Sequence, residues 1–143
     1  MDDEVRSLIY EVTMREGTPP SAERVANALR IDRTETLQIF RRLADAHMLV
    51  VDPDSHEILM AGPFSAVATP FRVTTAGMSC YANCVWDSLG VPAMLNSDGV
   101  VETNCADCGA EAVIRVTNGE VKGEGFMHFV VPARLWWSHI VYT

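Results

Sequence analysis

The spacing of apolar residues changes character once along this chain, near Gly62, and that change constrains the fold more than any other feature. Before it, Val5, Leu8, Ile9 and Val12 recur at i, i+3, i+4 and i+7, the stripe of a half-buried helix. Gly17-Thr18-Pro19-Pro20 breaks that helix. Ser21 can cap a second helix with Val25, Ala28 and Leu29 inward, and Asp32 a third with Leu37, Phe40, Leu43 and Ala44 inward. Leu49-Val50-Val51 and Ile58-Leu59-Met60 read as two short strands about the turn Asp52-Pro53-Asp54-Ser55. Three helices and a two-stranded wing make a winged-helix pattern over residues 1–62.

Residues 63–143 read differently. Strand-like Ala66–Thr75 precedes a helix near Ser79–Leu89, followed by strands near Val100–Thr103, Ala112–Val116 and Phe126–Val131. Gly99, Asn118-Gly119 and Gly123 supply the turns. The expected class is α+β, an N-terminal winged-helix-like three-helix lobe and a mixed α/β lobe with a small, mainly antiparallel sheet. Pro132–Thr143, with Trp136, Trp137, Ile140 and Tyr142, is too apolar to fray and is expected to pack.

A winged helix invites the thought of DNA, and charge argues against it. Residues 1–62 hold seven arginines and no lysine against twelve acidic side chains, a balance of −5. Arg33, Arg41 and Arg42 on the third helix are flanked by Asp32, Glu35 and Asp45, so no basic stripe forms. The whole chain carries −8, a field that repels phosphate backbones. No apolar run approaches the roughly 18 residues of a membrane span. The acidic start Met1-Asp2-Asp3-Glu4 is unlike a secretory leader, so the cytoplasm is the expected location.

All four cysteines, Cys80, Cys84, Cys105 and Cys108, fall in one short stretch. In a reducing compartment such clustering points to metal binding or chemistry before disulfides. If Ser79 caps a helix and Gly90 ends it, Cys80, Cys84 and Asp87 stand at i, i+4 and i+7 on one face, with neighbouring Cβ atoms roughly 5–6 Å apart. A helix N-terminus favours thiolate there, thiolate favours soft ions, and a partly buried Asp87 could hold and deliver a proton. Buried core cysteines and an ordinary helix-end aspartate fit the same spacing. Asn104-Cys105-Ala106-Asp107-Cys108-Gly109 is a C-x2-C knuckle, and with Cys80 and Cys84 it could build a four-thiolate zinc site. Of the histidines, His47 and His56 read as surface residues, and His128, in an expected strand, could face a pocket.

Ala82-Asn83-Cys84-Val85-Trp86-Asp87 running on through Leu89-Gly90-Val91-Pro92-Ala93, the Cys105–Cys108 knuckle, and Val131-Pro132-Ala133-Arg134-Leu135-Trp136-Trp137 together resemble the organomercurial (alkylmercury) lyases. The likeness covers nearly the whole chain and is most specific at Cys84-x-x-Asp87. It implies protonolysis of a carbon–mercury bond: a thiolate at Cys84 captures mercury, a second thiolate adds, and Asp87 relays a proton to carbon. It implies an organomercurial substrate, no cofactor, mercury(II) as product, and hand-over to a thiol-using mercuric reductase. It implies also that the winged-helix part covers the catalytic core. The family's second essential cysteine lies beyond a segment like Trp136–Thr143: either the sequence is truncated just before that residue, or Cys80, Cys105 or Cys108 supplies the second thiolate, or the protein binds soft metal without cleaving anything. Cys105 matches a family cysteine outside the usual catalytic set. The alternatives are a non-enzymatic soft-metal thiolate protein (mercury, zinc or copper) and a metal-responsive regulator.

Overall fold

The structure, a computed structural model, describes residues 1–141; Tyr142 and Thr143, which belong to the apolar end expected to pack, lie outside the described residues. Helices α1 (Asp2–Glu16), α2 (Ala22–Leu29) and α3 (Arg33–Asp45) form where the apolar period is 3.6. Ser21 caps α2 by accepting the Arg24 N–H at 3.3 Å, and Asp32 caps α3 by accepting that of Thr34 at 2.6 Å. Ala22, Val25, Ala26 and Leu29 make the inner stripe of α2; Ala28 lies off it and is exposed, contrary to expectation. Val5, Ile9, Val25, Ile39, Phe40 and Leu49 bury almost completely in one core, each worth about 1.5–3 kcal/mol of transfer free energy. Arg42 grips Asp2 with two bonds of 2.7 and 2.8 Å, tying the start of α1 to α3.

The strands are β1 (Val50–Val51), β2 (Ile58–Ala61), β3 (Phe64–Ser65), β4 (Arg72–Thr75), β5 (Ser79–Ala82), β6 (Gly99–Asn104), β7 (Glu111–Thr117) and β8 (Glu120–Lys122), with helix α4 (Val85–Leu95) between β5 and β6. They form one sheet in the order β1-β2-β3-β5-β4-β6-β7-β8, antiparallel throughout. The class is α+β with an antiparallel sheet, but the sheet is larger than expected. The reason is the pairing Met60↔Ser65 and Ala61↔Phe64, which joins the hairpin after the three helices to the strands that follow. A second core, built on Phe64, Val73, Cys80, Ala82, Val91 and Val101, packs α4 on the sheet.

Three expected elements are corrected. Of the strand expected over Ala66–Thr75 only Arg72–Thr75 forms, because Pro70 and the Ser65 and Thr69 side-chain bonds to nearby backbone hold the preceding residues in an irregular loop. The segment from Ser79 begins as strand, not helix. Ser79 and Tyr81 face outward and Cys80 and Ala82 inward, a period of two, and both neighbours β3 and β4 supply ladder bonds. The helix starts only at Val85 and runs past Gly90, the expected stop, to a left-handed cap at Asn96. Gly90 serves close packing instead: a Cβ there would lie 3.3 Å from Pro63 Cβ. Phe126–Val131 is not a strand. Edge position in the sheet goes to β8, which folds back on β7 through the left-handed pair Asn118 and Gly119, and Phe126 and Val130 stay exposed. The C-terminal segment forms a 3-10 turn over Ala133–Ser138. Among the described residues no helix is long and apolar enough to cross a membrane.

Gly17 joins the helical part to the sheet. It closes α1 at φ +79°, its N–H bonded to Thr13 O, and a Cβ on it would lie 2.6 Å from the backbone oxygen of Ser79 in β5. Gly17→Ala is expected to cost about 1–3 kcal/mol, from a strained backbone and a backbone contact that cannot yield. A denaturant midpoint unchanged by the substitution would refute this coupling.

Candidate active site

The junction between β5 and α4 presents the chemistry. Cys84 is the N-cap of α4, extended at φ −150°, and its Sγ accepts the Asp87 N–H at 3.4 Å. The helix N-terminus needs such an acceptor, and here sulfur occupies the position usually held by Ser, Thr, Asp or Asn. Asp87 stands in the first helical turn, and its Oδ2 accepts from Asn83 Nδ2 at 2.9 Å. The other end of that amide, Asn83 Oδ1, is a buried acceptor without a hydrogen-bond partner in the structure.

Cys84, Asp87 and Asn83 open into a cavity of about 640 Å³. Its walls come from four places. Helix α1 contributes Arg6 and Tyr10; the turn into β1 contributes His47, Met48, Leu49 and Val50; Met60 and Met94 come from β2 and α4; and Phe129, Trp136, Trp137, Ile140 and Val141 close the C-terminal side. Trp137 stacks on His47 with ring centres 4.2 Å apart and planes 10° from parallel. Trp136 donates its indole N–H to Val131 O at 2.8 Å and tilts against Phe129. Tyr10 donates to Met48 O at 3.4 Å. The cavity is thus mostly apolar, with a few converging polar groups, the usual make-up of a small-molecule site.

Burial governs the electrostatics. It pushes the Asp87 carboxyl above the ordinary carboxylate range, against the opposing pull of the Asn83 amide. It pushes the Cys84 thiol up as well; the N–H groups of Asp87 and Trp86 pull it down, and the Asp87 charge pushes it further up. Against the expected preference of a helix terminus for thiolate, desolvation and the neighbouring carboxylate raise the proton affinity of Cys84 while the cap N–H groups lower it. Tyr10 is raised too, by burial first, with Arg6 opposing and the Asp87 charge adding.

The four cysteines do not converge. Cys80 sits in β5 within the second core, pushed up to about 11 by burial alone, because a strand with alternating faces sends it away from Cys84. Cys105 and Cys108 are exposed in the β6–β7 turn. Among the described residues no three His, Cys, Asp or Glu side chains are placed to hold one metal, so the four-thiolate zinc arrangement is not assembled. His128 is exposed and His56 lies beside Arg41; His47 is exposed, as expected, and also lines the cavity. Arg6, Tyr10, His47 and Asn83 were not singled out from sequence. Only Asn83 carried a local signal, four residues before Asp87 and adjacent to Cys84.

The family model for alkylmercury lyase matches residues 64–143. No curated protein matches the chain. Among solved structures, the mercury-bound form of MerB2 matches with a TM-score of 0.63 at 21% identity. That match covers 83% of this chain and 58% of the other, so this chain spans little more than half the length of that relative, and the likeness speaks for the fold.

The raised Asp87 has a measurable consequence. The folded state binds its proton more tightly than the unfolded chain does, so its contribution is most favourable below the ordinary value of 3.8 and is lost as pH rises through the folded pKa. Asp87→Asn is expected to remove that loss. Its stability relative to wild type should therefore grow as denaturant titrations move from acid toward neutral pH. A stability difference constant with pH would contradict the assignment.

Proposed function

This chain belongs to the alkylmercury lyase family, and we propose that it cleaves carbon–mercury bonds by protonolysis at Cys84 and Asp87. One observation carries the reading: a thiol and a half-buried carboxyl, joined through the Asp87 N–H···Sγ bond of 3.4 Å, face the same apolar cavity. The substrate is a small organomercurial. Its organic group fits among the apolar side chains of Met60, Met94, Phe129 and Trp136.

The proton count closes within the pair. Mercury bonds to the Cys84 sulfur in exchange for the anion it arrived with, which departs into solution, and the thiol proton passes to Asp87, the carboxylate of raised proton affinity beside it. The protonated carboxyl then delivers that proton to the mercury-bound carbon. The carbon–mercury bond breaks, a hydrocarbon leaves, and mercury(II) stays on Cys84 with Asp87 again a carboxylate. Asn83 acts through Asp87: its amide aims the Oδ2 atom and steadies the anion after proton delivery. Mercury is substrate and product here; no cofactor takes part. Among the described residues Cys84 is the one cysteine lining the cavity, so release requires an outside thiol, which accords with hand-over to a thiol-using mercuric reductase in the cytoplasm.

We read residues 1–62 as a winged-helix-like lobe that covers the site and residues 63–143 as the catalytic lobe. Arg6, Tyr10, His47 and Met48 lining the cavity support a covering role for the first, and its charge balance of −5 speaks against nucleic acid.

Intact protein incubated with phenylmercuric acetate and excess thiol is expected to release benzene, followed by headspace gas chromatography. Cys84→Ser should abolish release. Asp87→Asn should slow it by about 100-fold or more, the usual scale of a lost general acid. Folded wild-type protein that binds mercury tightly yet yields no benzene would replace this reading with that of a soft-metal binder.

A further inference from the structure

The β6–β7 turn holds two sulfurs that the cavity does not use. The ladder ends at Asn104↔Glu111, and the turn is closed by backbone bonds of 2.8 Å from Cys105 N to Ala110 O and from Gly109 N to Cys105 O. Gly109 takes φ +72°, and Asn104 Nδ2 donates to its oxygen at 3.3 Å. The closed turn holds Cys105 and Cys108 three residues apart at one end of the β6–β7 hairpin. Both thiols are free and exposed, and neither lines the Cys84 cavity.

We propose that Cys105 and Cys108 form a separate two-thiolate mercury(II) site, which takes up the ion released at Cys84. Zinc is a poor match, because it wants four ligands and, among the described residues, no third His, Cys, Asp or Glu joins the pair. Mercury(II) is a soft ion satisfied by two sulfurs. The direction of exchange follows from the surroundings. Cys84 offers a single sulfur in its cavity, whereas the exposed turn offers two to the same ion, and a chelating pair outcompetes a lone thiol. Mercury carried across on a small free thiol exchanges without redox change. Two mercury–sulfur bonds form at the turn, two thiol protons leave, and the Cys84 sulfur and the carrier thiol each regain one. The proposal rests on the lyase reading only for the source of the ion.

Its test uses mercury(II) chloride directly, which makes it independent of bond cleavage. Intact wild type, Cys84→Ser and the double variant Cys105→Ser/Cys108→Ser are equilibrated with mercury(II) chloride and a large excess of free cysteine, then weighed by native mass spectrometry. Wild type and Cys84→Ser are expected to retain about one ion per chain, because a paired dithiol outcompetes single thiols, and the double variant close to none. Retention by the double variant, or loss in Cys84→Ser alone, would overturn the proposal, as would zinc bound at the turn in protein purified without added metal. Circular dichroism establishes that each variant is folded. Benzene release from phenylmercuric acetate, measured in parallel, separates failure of the lyase reading from failure of this one.

Discussion

The hydrogen bond from the Asp87 N–H to the Cys84 sulfur is the contact on which the site depends. It makes the reactive sulfur the cap of its own helix, so the geometry that lets α4 begin is also the geometry that holds thiol and carboxyl in the same cavity. The strand β5 must end at Ala82 for this to happen. Its pairing with β3 and β4 sets where the backbone leaves the sheet, and Asn83 then bridges the exit and the first helical turn. A sulfur cap is a weak one, and the buried Ser88 and Val91 packed beneath the helix compensate for it.

Around that junction the fold places two groups whose charged forms burial disfavours. Cys84 and Asp87 are both shifted up by burial, and the Asp87 charge adds to the shift of Cys84. A thiol beside a carboxyl of raised proton affinity suits the proposed protonolysis, in which sulfur gives up a proton and carbon receives one. Helix α1 contributes Arg6 and Tyr10 to the cavity wall, where burial first and then the Asp87 charge raise the Tyr10 phenol against Arg6. The C-terminal aromatic residues complete the enclosure through the His47–Trp137 stack. The exposed turn at Cys105 offers the opposite environment: sulfur surrounded by donors and water in place of apolar walls.

Much of the helical part was legible along the chain. Apolar residues at helical spacing, Ser21 and Asp32 as caps, and Gly17 as a stop act over a single turn of backbone, and the observed α1, α2 and α3 follow them closely. The antiparallel strands Gly99–Asn104 and Glu111–Thr117 were legible for the same local reason. Ser79–Ala82 was misread because a four-residue alternation is too short to outweigh a good cap and a good stop unless the neighbouring strands are known. Phe126–Val131 was misread because an apolar run does not reveal whether a sheet edge or a cavity rim will receive it.

The sequence by itself determined the reactive atoms, a sulfur and a carboxyl three residues apart, and the helical turn that makes them neighbours, because both depend only on local backbone. Tertiary structure alone decided which sulfurs meet. Sheet pairing turned Cys80 into the core, and the β6–β7 hairpin carried Cys105 and Cys108 to the surface. It also decided which distant residues, Tyr10, His47 and Trp137 among them, face Cys84. Long-range packing sets burial, and burial sets the proton affinities from which the chemistry follows.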